Sequence, residues 1–191
     1  TTGRVRNTDG TVSAFWPHGT CVPRRAHSGS NDMSKPYQLH VNGQTLDVPD
    51  PVPGESLMTV LRERLGLRGT KTACSEGECG SCSVLVDGEL MCSCLVMAAA
   101  VTDRAITTVE GLGEEDITDI QRAFVECGAV QCGFCTPGLI VAAHALLDRH
   151  PNATTDTVRE ELAGNLCRCT GYGRIIDAIH SVAIARRGDR Q

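Results

Sequence analysis

Nine of the eleven cysteines in this 191-residue chain fall into four tight groups. The groups are Cys74-x4-Cys79-x2-Cys82, Cys92-x-Cys94, Cys132-x2-Cys135 and Cys167-x-Cys169. Disulfides closing loops this short would be very tight, and an odd number of thiols cannot all pair within one chain. No apolar stretch of secretory type follows the N-terminus, so the compartment reads as reducing and cytoplasmic. Thiols so grouped in a reducing compartment point to metal, and metal sites then dictate where the loops lie. The rest of the composition suits that reading. Apolar residues make up 41% and aromatics only 3%, so the core must be built from small aliphatic side chains. Cores of that kind gain from metal staples or partners. The formal net charge of −5 argues against nucleic-acid binding, and no apolar run reaches membrane-spanning length.

Residues 1–34 are polar, aperiodic and rich in Gly, Ser, Thr and Arg, and read as a disordered extension. Regular patterning begins at Tyr37. Tyr37, Leu39 and Val41 alternate with polar residues, Asn42-Gly43 supplies a turn, and Leu46 and Val48 alternate after it, which predicts a hairpin. Residues 56–65 place Leu57, Val60, Leu61 and Leu65 on one helical face behind Ser56 as cap. Val84, Val86, Asp87-Gly88 and the stretch from Leu90 predict a second hairpin, and residues 106–109 a short strand. Two hairpins and one helix in this order suggest a small mixed sheet gripping a helix. Beyond the acidic run at 114–116 the period becomes helical. Ile117, Ile120, Phe124 and Cys127 share a face, and residues 139–147 are apolar almost all round. Val158 and Leu162 mark a third helix, and Ile175, Ile179 and Val182 a fourth. The division expected is an extension over 1–34, a mixed α+β domain over 35–112 and a four-helix domain over 113–187. The helical half holds a weak repeat: helix, cysteine pair, helix, twice, each pair ending in Cys-Thr (Cys135-Thr136 and Cys169-Thr170). Thr136 is a candidate cap for the second helix, with Pro137 at its first position.

The spacing Cys74-x4-Cys79-x2-Cys82 with a fourth cysteine downstream is that of plant-type [2Fe–2S] sites. Gly77 and Gly80 fall inside it, where glycine lets the backbone curl around a cluster and aim N–H groups at sulfur. Zinc is the rival, but tetrahedral four-cysteine zinc sites usually use two two-residue pairs. Cys92 and Cys94 both qualify as fourth ligand. If Asp87-Gly88 is a two-residue turn, the ladder sets Cys82 opposite Ser93 and Cys94 at the level of the cysteine loop, which selects Cys94 and leaves Cys92 a free thiol. Cys132, Cys135, Cys167 and Cys169 form the second set, the first two opening a helix whose dipole favours thiolate. Arg168 between the last two either offsets cluster charge or is a solvated arginine. Cys127 reads as core, His144 as packed in its helix, and Cys21 lies in the extension. No nucleophile–base grouping, phosphate loop or dinucleotide fingerprint is present, so no catalytic residue is assigned.

Both constellations in this order resemble the iron–sulfur small subunit of the molybdenum hydroxylases, the xanthine dehydrogenase and aldehyde oxidoreductase family. The matching strings include residues 78–82 (Glu-Cys-Gly-Ser-Cys), 108–112 (Thr-Val-Glu-Gly-Leu), 131–138 (Gln-Cys-Gly-Phe-Cys-Thr-Pro-Gly) and 164–172 (Gly-Asn-Leu-Cys-Arg-Cys-Thr-Gly-Tyr). The resemblance spans residues 36–186 and departs at Cys92, where the family usually lacks cysteine. It implies a ferredoxin-like β-grasp domain followed by an all-α four-helix domain with pseudo-twofold symmetry, and one [2Fe–2S] cluster in each. It implies a large subunit holding a molybdopterin cofactor near Gln131 and Cys169, a medium subunit holding FAD, and a dimer of such heterotrimers. Electrons would run from substrate at molybdenum through both clusters to flavin. A xanthine dehydrogenase-like complex is expected; an aldehyde, carbon monoxide or N-heterocycle oxidoreductase is the alternative.

Overall fold

The computed structural model describes residues 35–113 and 117–188, together with two short strands near the N-terminus. Those strands, β1 (Val5–Arg6) and β2 (Val12–Ser13), pair antiparallel and belong to a unit of their own. The rest of the extension, and with it the expectation of disorder there, lies outside the described residues.

The expected hairpins form where Asn42-Gly43 and Asp87-Gly88 turn the chain. All four residues take positive φ, the backbone that two-residue hairpin turns demand. The first turn joins β3 (Tyr37–Val41) to β4 (Gln44–Val48), and the second joins β5 (Ser83–Val86) to β6 (Glu89–Cys92). Strand β7 (Ala105–Thr107) lies between the hairpins, parallel to β3 and antiparallel to β5, giving a five-stranded mixed sheet in the order β4-β3-β7-β5-β6. It ends earlier than expected, because Val109–Gly111 turns into a 3-10 helix.

One face of the sheet carries Leu39, Val41, Val48, Val84, Val86 and Ile106, packed against Leu57, Val60 and Leu61. The segment supplying these begins as helix α1 (Leu57–Thr59) and widens into a π turn over Val60–Arg64. Ser56 caps it as expected, its hydroxyl accepting from Thr59 N at 3.2 Å. Each fully buried aliphatic side chain of this set contributes about 1.5–3 kcal/mol.

The opposite face of β5 explains why all four of its residues are buried. Leu85 meets Val141 and Ala145 of helix α3 (Thr136–Arg149). Around α3 pack α2 (Asp119–Glu126), α4 (Thr155–Glu161) and α5 (Gly173–Gly188), with Ile120, Phe124, Leu139, Leu146, Val158, Ile175 and Ile179 in the core. Ile117 departs from the expected face: it precedes α2 and is exposed. Helix α2 starts with a capping box between Thr118 and Gln121. Helix α3 starts one residue early: Cys135 is the cap position, Thr136 the first helical residue, and the Cys135 side chain makes no capping bond. Among the described residues, no helix is long and apolar enough to cross a membrane.

Candidate metal centres

The first cysteine group lies on a loop between the π turn and β5. Arg62 fastens the approach, donating from Nη1 to Thr70 O at 2.7 Å. Lys71 N to Ser81 O closes the loop at its neck. Within it Ser75, Gly77 and Gly80 take positive φ, so the chain doubles back and presents amides to sulfur. Glu76 N donates to Cys74 Sγ at 3.4 Å. That amide, the Cys79 thiol and the amides of Cys79 and Glu78 bring the Cys74 thiol down to about 7. A thiol so assisted is close to its metal-binding form at neutral pH.

The register of β5 and β6 sets Ser83 opposite Cys92 and Val84 opposite Met91. Ser93 N and Oγ both donate to Cys82 O, so Cys82 and Ser93 stand side by side as the ladder required. The strand does not continue past Cys92: Ser93–Leu95 is a 3-10 turn, so plain alternation fails there. The turn swings Cys94 beside Cys82 and under Gly77 N–H. Burial and the Cys82 thiol push Cys94 up to about 11, against the pull of that amide. Cys92 also reaches this site. Its thiol donates to Gly77 O at 3.5 Å, and burial followed by the neighbouring Cys82 raises it. Five thiols therefore meet at the first site, both sequence candidates for fourth ligand among them.

The second site joins two loops far apart in sequence. Cys132 and Cys169 are exposed and their sulfurs are 3.5 Å apart. Cys135, at the head of α3, and Cys167 lie deeper and are hydrogen-bonded to each other. Each contact therefore couples one cysteine from each loop. Burial and the neighbouring Cys167 push Cys135 up to about 12. For Cys167 burial acts upward, but the Thr170 hydroxyl, 3.1 Å away, and the amides of Thr170 and Cys169 outweigh it and lower the thiol. Cys132 is lowered by Phe134 N–H and Cys169, and Cys169 is raised by its bond to Cys132. Gln131, Arg168, Phe134 and Leu166 are exposed around this site. Tyr172, at positive φ, accepts Cys167 N at 2.8 Å and donates to Asn165 O at 3.1 Å, bracing the second loop. Both residues stood in the motif, but nothing in their spacing announced this role.

The donors fit an iron–sulfur cluster at each place. Each site offers four or more thiols, and amides or hydroxyls already donate to sulfur. Glycine at 77 and 80 lets the rest of the chain pack directly against the loop: a Cβ would come within 2.3 Å of Leu95 at position 77 and 2.4 Å of Gly164 O at position 80. Among the described residues no three His, Cys, Asp or Glu side chains converge tightly enough to hold a lone ion.

Comparison with known proteins decides the family. Residues 39–111 match the family described as the 2Fe-2S iron-sulfur cluster binding domain, and residues 108–180 match the [2Fe-2S] binding domain. The xanthine dehydrogenase iron-sulfur-binding subunit of Escherichia coli is 46% identical over 75% of this chain and 86% of its own length. This chain belongs to the iron–sulfur small subunits of the molybdenum hydroxylase, or xanthine dehydrogenase, family. The nicotinate dehydrogenase small FeS subunit of Eubacterium barkeri is 42% identical to this iron–sulfur subunit, covering 74% of it and 90% of itself. The crystal structure of quinoline 2-oxidoreductase from Pseudomonas putida superposes with a TM-score of 0.73 at 44% identity, over 80% of this subunit and 96% of that chain. The subunit thus carries two [2Fe–2S]-binding domains in one oxidoreductase chain.

Proposed function

We propose that this subunit carries electrons from a molybdopterin centre in a large partner subunit to FAD in a medium one. Its first [2Fe–2S] cluster is held by Cys74, Cys79, Cys82 and Cys94, and its second by Cys132, Cys135, Cys167 and Cys169. One observation carries the reading: two separate sets of thiols, each already supplied with N–H or O–H donors. When bound, a [2Fe–2S] cluster passes one electron at a time and offers no open position to an organic substrate. The chain's own residues hold the thiolates, fix the two sites with respect to each other, and keep water from the inner sulfurs. Cys82, only 3% exposed, is the innermost. Exposed Cys132 and Cys169, with Gln131, Phe134 and Leu166 around them, suit the face that meets the molybdopterin subunit. Leu95, exposed and lying against Gly77 of the first site, suits the FAD side.

The finer organisation follows the same reading. Residues 35–112 form the β-grasp domain and 113–187 a four-helix domain, in which the two Cys-Thr loops are related by a pseudo-twofold axis. The complex is a cytoplasmic dimer of heterotrimers of the xanthine dehydrogenase kind. Its substrate is a nitrogen heterocycle, as the relatives named for xanthine, nicotinate and quinoline suggest. An aldehyde substrate is the second reading, favoured by a 42% identical stretch in an aldehyde oxidoreductase of Megalodesulfovibrio gigas.

The test uses the assembled complex with Cys135→Ala. Substrate added without air is expected to reduce molybdenum while the flavin stays oxidised. Flavin reduced at the parent rate in that variant would mean electrons bypass this chain.

A further inference from the structure

The first cysteine loop is completed by the other half of the chain. Asn165, two residues before Cys167, is 4% exposed. Its side-chain amide donates to Gly80 O at 3.0 Å and to Ser83 Oγ at 3.2 Å. Ser83 Oγ in turn donates to Gly80 O at 2.7 Å. The next residue, Leu166, donates its N–H to Cys79 O at 2.9 Å. The approach is close enough to exclude side chains: a Cβ on Gly80 would stand 2.4 Å from Gly164 O, and one on Gly138 would stand 2.3 Å from Gly80 O. Asn165 cannot swing away. Its own N–H is bonded to Leu162 O at 2.9 Å and its carbonyl accepts the Tyr172 hydroxyl.

In a planar trans peptide the N–H points opposite to the C=O. Holding the carbonyls of Cys79 and Gly80 from the helical half therefore turns the N–H groups of Gly80 and Ser81 away from it. They belong to the two residues between Cys79 and Cys82. Amides directed at cluster sulfur stabilise the reduced, more negative state and raise the potential.

We propose that Asn165 is a positioning residue for the first cluster, setting its reduction potential although it lies in the second constellation. This rests on the reading that each half holds a [2Fe–2S] cluster. The driving force for electron movement between the halves is then adjusted at the seam where they touch. A residue that merely packed the two halves together would change thermal stability and leave both potentials alone.

The experiment is a redox titration of the full chain with both clusters loaded, followed by electron paramagnetic resonance. Cys79→Ala, lacking the first cluster, identifies which signal belongs to it. Asn165→Ala is expected to move the first cluster to more negative potential, with a smaller movement of the second. Ser83→Ala, which removes one of the two acceptors of the Asn165 amide, is expected to move it the same way by less. An Asn165→Ala chain that keeps both clusters and leaves the first potential unchanged, or moves only the second, overturns the proposal. Should Asn165→Ala fail to retain the first cluster, Ser83→Ala decides, and an unmoved potential there overturns it equally. A parent chain without two iron–sulfur signals would instead sink the two-cluster reading itself.

Discussion

The two cysteine sites present the same donor set by opposite means. The first is written almost entirely into one stretch: three cysteines on a loop bent by positive-φ residues, with Cys92 ending the adjoining hairpin and Cys94 on the 3-10 turn after it. The second exists only because helices bring together two loops that begin far apart in sequence. Closure entropy does not separate them. The span from Cys132 to Cys169 is nearly twice that from Cys74 to Cys94, yet this ratio amounts to only about 0.5 kcal/mol. What separates them is packing. Cys135 and Cys167 sit against the helical core, so the second site is part of what holds its half together. The first hangs from a sheet whose core is complete without it.

The largest effect expected comes from removing one ligand at each place. Cys79→Ala and Cys135→Ala should each lose about half of the roughly four irons that two [2Fe–2S] clusters supply, while Cys135→Ala lowers the melting temperature more. Equal losses of stability, followed by circular dichroism, would erase the contrast. Within the first site, iron analysis should find half the iron gone in Cys94→Ser and none gone in Cys92→Ser.

A smaller effect probes the seam. In an exposed helix, Gly→Ala usually stabilises by about 1 kcal/mol. Gly138 lies in α3 with Gly80 O where its Cβ would go. Gly138→Ala should therefore destabilise by about 1–3 kcal/mol, measured by denaturant unfolding, and disturb the first cluster's spectrum although the residue follows the second site's Cys135. A stabilised variant would show that the two loops are not in rigid contact.

The smallest effect lies away from both sites. Arg186 near the end of α5 grips Asp119 at the start of α2 with two bonds of 2.6 and 2.8 Å. This pair, still partly exposed, should be worth about 1 kcal/mol or less. The guanidinium holds the Asp119 carboxyl below its usual range. The contribution is therefore complete above the ordinary carboxylate value near 4 and is lost as pH falls through the lowered one. Melting curves of Arg186→Met should fall below the parent at pH 7 and converge with it in acid, with both cluster spectra untouched.

The contrast also explains what could be read from the sequence. The hairpins were legible because Asn42-Gly43 and Asp87-Gly88 dictate turn geometry locally. The turn at 87–88 then fixed the ladder that brings Ser93 beside Cys82. The position of Cys94 was reached by that ladder, but not the 3-10 turn that delivers it, since nothing in Ser93-Cys94-Leu95 demands a break from the strand. The helical faces were legible from periodicity, except at Ile117, whose fit to the face says nothing about where the helix begins. The contacts among Asn165, Tyr172 and Gly80 were not legible at all. The bond from Asn165 to Gly80 joins residues 85 positions apart, and no periodic pattern records which loop will meet which.

The contact between Gly80 and Gly138 limits how such subunits can be recombined. A chimera that took its sheet from one relative and its helices from another would cut the chain near residue 112, where the linker looks permissive. The surfaces that must match lie elsewhere, at 79–83 on one parent and at 138 and 164–166 on the other. Exchange at that junction is expected to work best between parents that share glycine at 80 and 138 and asparagine at 165, where the two halves touch. Recombination by sequence alone therefore treats as separable two pieces that fit each other to within the size of one methyl group.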